Sequence, residues 1–120
     1  MPFDWAEYLE LAQRLQTDLP DGPAGEAALR TAVSRAYYAA YCRVRNRERD
    51  RRSFAPGPSD GQQRGRLHAH LGKTGKRDWS AILRTLQQWR ESCDYEDDFD
   101  ATAVIQHALD QSKRILDSYP

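Results

Sequence analysis

The sequence predicts an all-α bundle, and three observations carry that expectation. Apolar residues recur at helical spacing in five separate segments. No alternating run of β-branched residues is present to form a strand. With 39% hydrophobic and 30% charged residues in 120 positions, the core must be thin, which suits amphipathic helices better than a sheet covered on both faces. A chain of this length supports one core, so residues 1–120 are expected to form a single helical domain.

The first helix is expected from Phe3 to Thr17. Trp5, Tyr8, Leu9, Ala12 and Leu15 make its stripe, and Asp4 is placed to cap it. Pro20, Asp21, Gly22 and Pro23 then break the chain. The second helix, Ala24 to Arg52, is apolar nearly all round in its first half. One seam is Leu29, Val33, Ala36, Ala40 and Val44. A second is Ala28, Ala32, Arg35, Ala39 and Cys42, and Tyr37 and Tyr41 form a third edge. Such a helix belongs in the centre of the bundle. Its Arg-rich second half is expected to project into solvent. Residues 53–65, with Pro56-Gly57-Pro58 and Asp60-Gly61, read as a flexible loop. A short helix over Arg66 to Leu71 follows, stopped by Gly72 and Gly75. Asp78 reads as the N-cap of a helix running to about Cys93, with the stripe Trp79, Ile82, Leu83, Leu86, Trp89 and Cys93. The last helix, Ala101 to Ser118, carries Val104, Ile105, Ala108, Leu109, Ile115 and Leu116.

Net charge is zero, but the charge is segregated. Arg43 to Arg77 contains 11 Lys or Arg and 3 acids, a net of +8, which leaves −8 on the rest of the chain. Six acids fall between Glu91 and Asp100. A molecule polarised in this way steers a polyanion to one end or draws two copies together. Arg43, Arg47 and Arg51 share one helix face, and Arg64, Arg66, Lys76 and Arg77 join them if the loop folds alongside. They are the RNA-phosphate candidates, against the alternative of a solvated helix end. Phe54 is the only aromatic residue within this basic segment, so base stacking is not expected to dominate.

No run approaches 18 consecutive apolar residues, and Met1-Pro2-Phe3-Asp4 does not read as a secretory signal. Cys42 and Cys93 read as reduced thiols of a cytoplasmic protein. No metal site is expected, because His68 and His70 lack clustered partners, and no glycine loop shaped for a cofactor phosphate is present.

Two passages stand out as candidate chemistry. Arg35 lies among alanines and needs a carboxylate, for which Asp94 and Glu26 are the candidates, or several carbonyls. Either it fixes the register of two helices or it lines a cleft and meets phosphate. Arg90 and Asp94 are four apart and share a helix face, as a terminal ion pair or as part of a polar site to which Tyr95 adds a hydroxyl.

SRAYYAAY at 34–41, followed about fifty residues later by RESCDYEDDF at 90–99, is similar to the HEPN domain (higher eukaryotes and prokaryotes nucleotide-binding). The resemblance is to its small prokaryotic branch with an SRxYYA helix and an RxxADYxxxF turn, and it extends over nearly the whole chain. It implies a bundle of four long helices plus a short one, and a homodimer with a cleft between protomers. Many relatives are metal-independent ribonucleases of toxin–antitoxin and phage-defence systems, often paired with a small nucleotidyltransferase. In those, an Arg-x4-6-His motif cuts RNA. In some, a nearby tyrosine is adenylylated, and Tyr95 is the loose match here; from the sequence itself Tyr95 reads instead as packing the acidic turn. The expected histidine after Arg90 is replaced by Asp94-Tyr95. Arg64 to His70 meets the spacing, but in the loop and short helix. His68 matches a histidine the branch often carries, and reads otherwise as a capping residue; His107 reads as a partly buried helix residue. The resemblance therefore implies either an RNA-binding or ribonuclease-type effector using Arg35, Arg90, Asp94 and Tyr95, or a non-catalytic module that docks onto a nucleotidyltransferase or larger effector.

Overall fold

A computed structural model describes residues 3–119. α1 (Ala6–Thr17), α2 (Pro23–Arg52), α3 (Asp60–Lys73), α4 (Arg77–Tyr95) and α5 (Ile105–Ser118) follow in order, with a 3-10 turn at Ala101–Ala103 and no strand among the described residues. The all-α class is as expected. α2 packs against α1, α4 and α5, while α3 lies mainly on α4. At 1.5 Å per residue its 30 residues span about 45 Å, nearly the full 46 Å length of the molecule.

The small residues of α2 explain this central position. Ala32, Ala36, Ala39 and Ala40 are fully buried and let three helices approach one backbone. Ser112 of α5 comes close enough to donate its hydroxyl to the Ala36 carbonyl at 2.7 Å. At the start of α2, Gly25 has no room for a Cβ, which would collide with the Pro20 carbonyl oxygen.

Several boundaries differ from the sequence expectation. α1 starts at Ala6 and not Phe3, and its N-cap position is Trp5 rather than Asp4; Asp4, one residue earlier, accepts from the Ala6 N–H at 3.0 Å. α3 spans 60–73, so the predicted loop over 53–65 shrinks to 53–59. Pro56-Gly57-Pro58 and Asp60-Gly61 read as a loop, but Ser59 and Gln62 form the start of a helix: the Ser59 hydroxyl accepts from the Gln62 N–H at 3.3 Å. Burial of Leu67 and Leu71 does the rest. Gly72 lies inside the helix, and it is Gly75, at φ +76, that turns the chain. Asp78 sits within the first turn of α4 and is not its cap. The last helix is interrupted at Val104, with the 3-10 turn ahead of it capped by Asp100.

The arginine-rich half of α2 does not simply project into solvent. Val44 and Glu48 are buried, and only the stretch from Arg49 to Arg52 is exposed. Phe54 folds back, buried against the His70 ring at 5.0 Å. Glu48 is the anchor of this end. Its carboxylate pairs with Lys76 and, at 3.3 Å, with Arg52.

The opposite end is closed by Arg30, which the sequence pattern does not single out. Its guanidinium donates to the carbonyls of Cys93 at 2.9 Å, Glu96 at 2.7 Å, Asp97 at 3.1 Å and Phe99 at 2.8 Å, and its Nε to Glu26 at 3.2 Å. The last carbonyls of a helix have no partner within it. Arg30 supplies one for α4 and ties the acidic turn to α2. Hydrogen bonds from a charged donor each contribute roughly 1.5–3 kcal/mol. Arg30→Met is expected to lower unfolding free energy by about 3 kcal/mol or more in urea titration; a loss below about 1 kcal/mol would show that the turn is held by other contacts.

Candidate functional site

Arg35 does not find the carboxylate expected for it. Glu26 pairs with Arg30, and Asp94 pairs with Arg90 at 3.2 Å. Arg35 instead lies between two phenol rings, 4.8 Å from the centroid of Tyr8 on α1 and 5.2 Å from that of Tyr38 one turn along α2. It also donates to the Ser34 hydroxyl at 3.4 Å. Ring faces carry negative electrostatic potential, so two of them hold a guanidinium without an ion pair.

The pattern continues. Arg90 on α4 is buried, with its guanidinium 5.5 Å from the Tyr38 ring and 5.7 Å from the Tyr37 ring. Tyr37 stacks on Tyr41 at 5.7 Å, and Arg45 lies 5.7 Å from the Tyr41 ring. From α1 across α2 to α4 the order is Tyr8, Arg35, Tyr38, Arg90, Tyr37, Tyr41, Arg45: three cations interleaved with four phenols. Arg64 of α3 adds a fourth cation close enough to act on the Tyr37 phenol. Burial is the main cause that pushes the Tyr37 pKa far above its ordinary value, outweighing Arg64, so that ring stays neutral. Burial alone would lower the Arg90 pKa, but Tyr38 and the Asp94 carboxylate outweigh it and raise it. The Arg90 Nε is buried without a hydrogen-bond partner among the described residues.

Two concavities meet at Arg64. One, of about 330 Å³, is walled by Trp5, Tyr8, Tyr38 and Tyr41 and by Arg35, Arg45 and Arg64, with no acid among its described lining residues. The other is a broader depression of about 690 Å³, where Arg64 and Arg90 face Glu91 and Glu96, with Ser92 and Tyr95 at its edge. The first carries three positive charges and the second is balanced. An anion entering the groove is therefore drawn to the first. Aromatic residues absent from the basic segment reach it from other helices, which corrects the expectation that only Phe54 is at hand.

The remaining candidates scatter. His68 is buried, with Nδ1 2.6 Å from the Ser80 hydroxyl. A serine against a neutral imidazole is the pairing a nucleophile needs, but neither residue lines either concavity. It is a tie between α3 and α4. His70 faces Phe54 and lies 3.9 Å from Glu48, so Arg64 and His70 point to different sites and the Arg-x4-6-His spacing does not assemble a pair. His107 is exposed beside Trp89, not partly buried. Tyr95 is 78% exposed and does not pack the turn. Arg43 is committed to the Tyr119 carbonyl at 2.6 Å and Asp4 at 3.1 Å. Arg66 lies against Gly57, Lys76 is bound to Glu48, and Arg47 and Arg51 line a separate concavity at the end of α2. Arg77 is exposed at the start of α4. Of the seven RNA-phosphate candidates only Arg64 lies in the groove. The sequence reading misses Arg45, Trp5, Tyr8 and Tyr38 there, although the 3-4-3 spacing of residues 35, 38, 42 and 45 marks one face of α2.

No His, Cys, Asp or Glu side chains converge in threes as metal ligands among the described residues. Cys42 and Cys93 are buried and form no disulfide among the described residues, and burial pushes the Cys93 thiol up to about 11. No described helix is long and apolar enough to cross a membrane. Compared with protein-family models, curated proteins and solved structures, the chain matches none.

Burial, reinforced by Arg84, lowers the His68 pKa to about 4. The unfolded chain takes up this proton near pH 6.5 and the folded chain only near 4. The neutral His68–Ser80 tie therefore contributes fully above pH 6.5, and its contribution falls away as pH drops toward 4, by on the order of 3 kcal/mol at the limit. Chemical denaturation of wild type and His68→Gln across this window is expected to show a flatter pH dependence in the variant; parallel curves would contradict the assignment.

Proposed function

We propose that this chain is a HEPN-type RNA-binding effector of a toxin–antitoxin or phage-defence system, gripping RNA phosphates in the groove between α1, α2 and α3. The observation that carries this reading is the cavity walled by Arg35, Arg45 and Arg64 without a described acid. Cations so placed repel one another and are partly desolvated, and a phosphate removes both penalties. The SRAYYAAY and RESCDYEDDF strings support the family reading independently: they supply Arg35, Tyr37, Tyr38 and Tyr41 from one string and Arg90, Asp94 and Tyr95 from the other.

The same geometry argues against RNA cleavage by a single copy of the chain. No imidazole lines the groove among the described residues, so the group that would activate a 2′-hydroxyl is missing beside Arg90. A second copy, or a nucleotidyltransferase or larger effector docked at the exposed Tyr95, is the partner through which such an RNA-holding module acts.

Fluorescence anisotropy with a short labelled single-stranded RNA tests this. Affinity is expected to fall steeply with salt. Arg35→Gln with Arg64→Gln is expected to reduce the slope of log affinity against log salt by about 1.4, at about 0.7 for each phosphate no longer neutralised. The RNA should remain intact. Salt-independent binding, or a slope unchanged in the double variant, would overturn the site; cutting of the RNA by the purified chain would overturn its non-catalytic character.

A further inference from the structure

Arg64 is the one described residue of α3 that lines the groove, and it stands in the weakly held half of its helix. The apolar anchors of α3 are Leu67 and Leu71, both fully buried, and the His68–Ser80 tie lies between them. No apolar side chain precedes Leu67 in the helix. Gly61, Gln62, Gly65 and Arg66 are exposed, and Gln63 and Arg64 are half-buried. Among the described side chains of residues 61–66, only Gln63 hydrogen-bonds to the body of the bundle, accepting from Arg45 at 3.4 Å. That is longer than the ordinary range of about 2.7–3.2 Å. The Gln63 amide also donates to the Gly57 carbonyl, and Arg66 lies against Gly57, but both contacts stay within the segment that leads into the helix.

The backbone is poor helix here as well. Gly61 and Gly65 both fall in the first two turns, and a Cβ at either would meet nothing within 4 Å, so packing does not require a glycine at these positions. In an exposed helix each glycine favours the unwound form about fivefold relative to alanine. The leading segment can bend, since residues 53–59 carry no helix and Gly57 adopts φ +96. From Leu67 onward burial resumes, so an opening that starts at Gly57 stops there. A segment with exposed backbone hydrogen bonds and few buried apolar contacts opens at low cost while the rest of the fold stays intact. Arg64 forms no ion pair with a described residue, so an anion in the cavity it shares with Arg35 and Arg45 draws it inward.

We propose that residues 61–66 form a clamp on the groove, which unwinds between Gly57 and Leu67 to admit an RNA strand and refolds with Arg64 on a phosphate. The clamp rests on the RNA-binding reading of the groove. Arg64 stands where the two concavities meet, so its withdrawal joins them into one trough and its return divides them again over the bound strand. An RNA strand is then laid in from the side and released only when the clamp reopens.

Amide exchange read residue by residue in NMR, and release of a short labelled single-stranded RNA into excess competitor, test the proposal on the full chain. In the free protein the amides of Arg64, Gly65 and Arg66 are expected to exchange roughly tenfold or more faster than those of Leu71 and Gly72, and saturating RNA is expected to slow them. Gly61→Ala combined with Gly65→Ala is expected to slow both that exchange and RNA release by about fivefold or more, because release passes through the unwound form. Gly72→Ala, beyond the hinge and also in open space, is expected to leave release unchanged. Uniform protection along α3 in the free protein would overturn the clamp, as would release unchanged in the double variant or slowed equally by Gly72→Ala. Each of these leaves the RNA reading standing. Absence of RNA binding would instead remove that reading, and the clamp with it.

Discussion

Guanidinium groups repel one another and do not gather unaided. In this protein, phenol faces separate them. Tyr8, Tyr38, Tyr37 and Tyr41 alternate with Arg35, Arg90 and Arg45, and the only carboxylates paired with any of the three among the described residues belong to Asp94 and Glu91, both on Arg90. Each guanidinium placed over a ring gains on the order of 0.5–2 kcal/mol, depending on how dry the contact is. That is enough to hold the cations in register and too little to neutralise them. The groove therefore keeps its positive potential while its walls stay rigid, and these are the two properties an anion site requires.

Everything else in the fold serves to set those rings in place. Alanines along α2 bring α4 and α5 close, which carries Arg90 to Tyr37 and Tyr38. Arg30 closes the end of α4 beyond Arg90 and holds the acidic turn away from the cavity that contains Arg35. Glu48 does the corresponding work at the other end, tying α2 to the start of α4 through Lys76. Two buried or half-buried charges, one of each sign, thus fix the two ends of the central helix, and the arginine–tyrosine series occupies the middle. The segregation of charge along the chain has a structural counterpart: acids gather where Arg30 binds backbone carbonyls, and cations gather beyond Glu48.

The helical class is legible in the sequence because apolar periodicity depends only on local spacing, and α2 and α4 follow it closely. The Arg90–Asp94 pair is legible for the same reason, being four residues apart on one helix. The start of α3 is not, because Pro56-Gly57-Pro58 and Asp60-Gly61 carry a strong local signal for a loop, while Leu67 and Leu71 owe their burial to α4, which lies later in the chain. Arg35 departs from expectation because a desolvated cation does not require a carboxylate where a ring face is at hand, and Tyr8 brings that face from a separate helix. Arg30 is hidden because its partners are backbone carbonyls, and no side chain in the sequence announces them.

Arginine side-chain NMR is the most direct probe of the groove as one anion site. On addition of single-stranded RNA, the Nε–Hε signals of Arg35, Arg45 and Arg64 should move together along one binding curve, with Arg90 following as its buried Nε senses the charge, while Arg49 and Arg114 stay still. Equal shifts spread over every exposed arginine, or no movement of Arg35 and Arg64 at saturating RNA, would contradict the account.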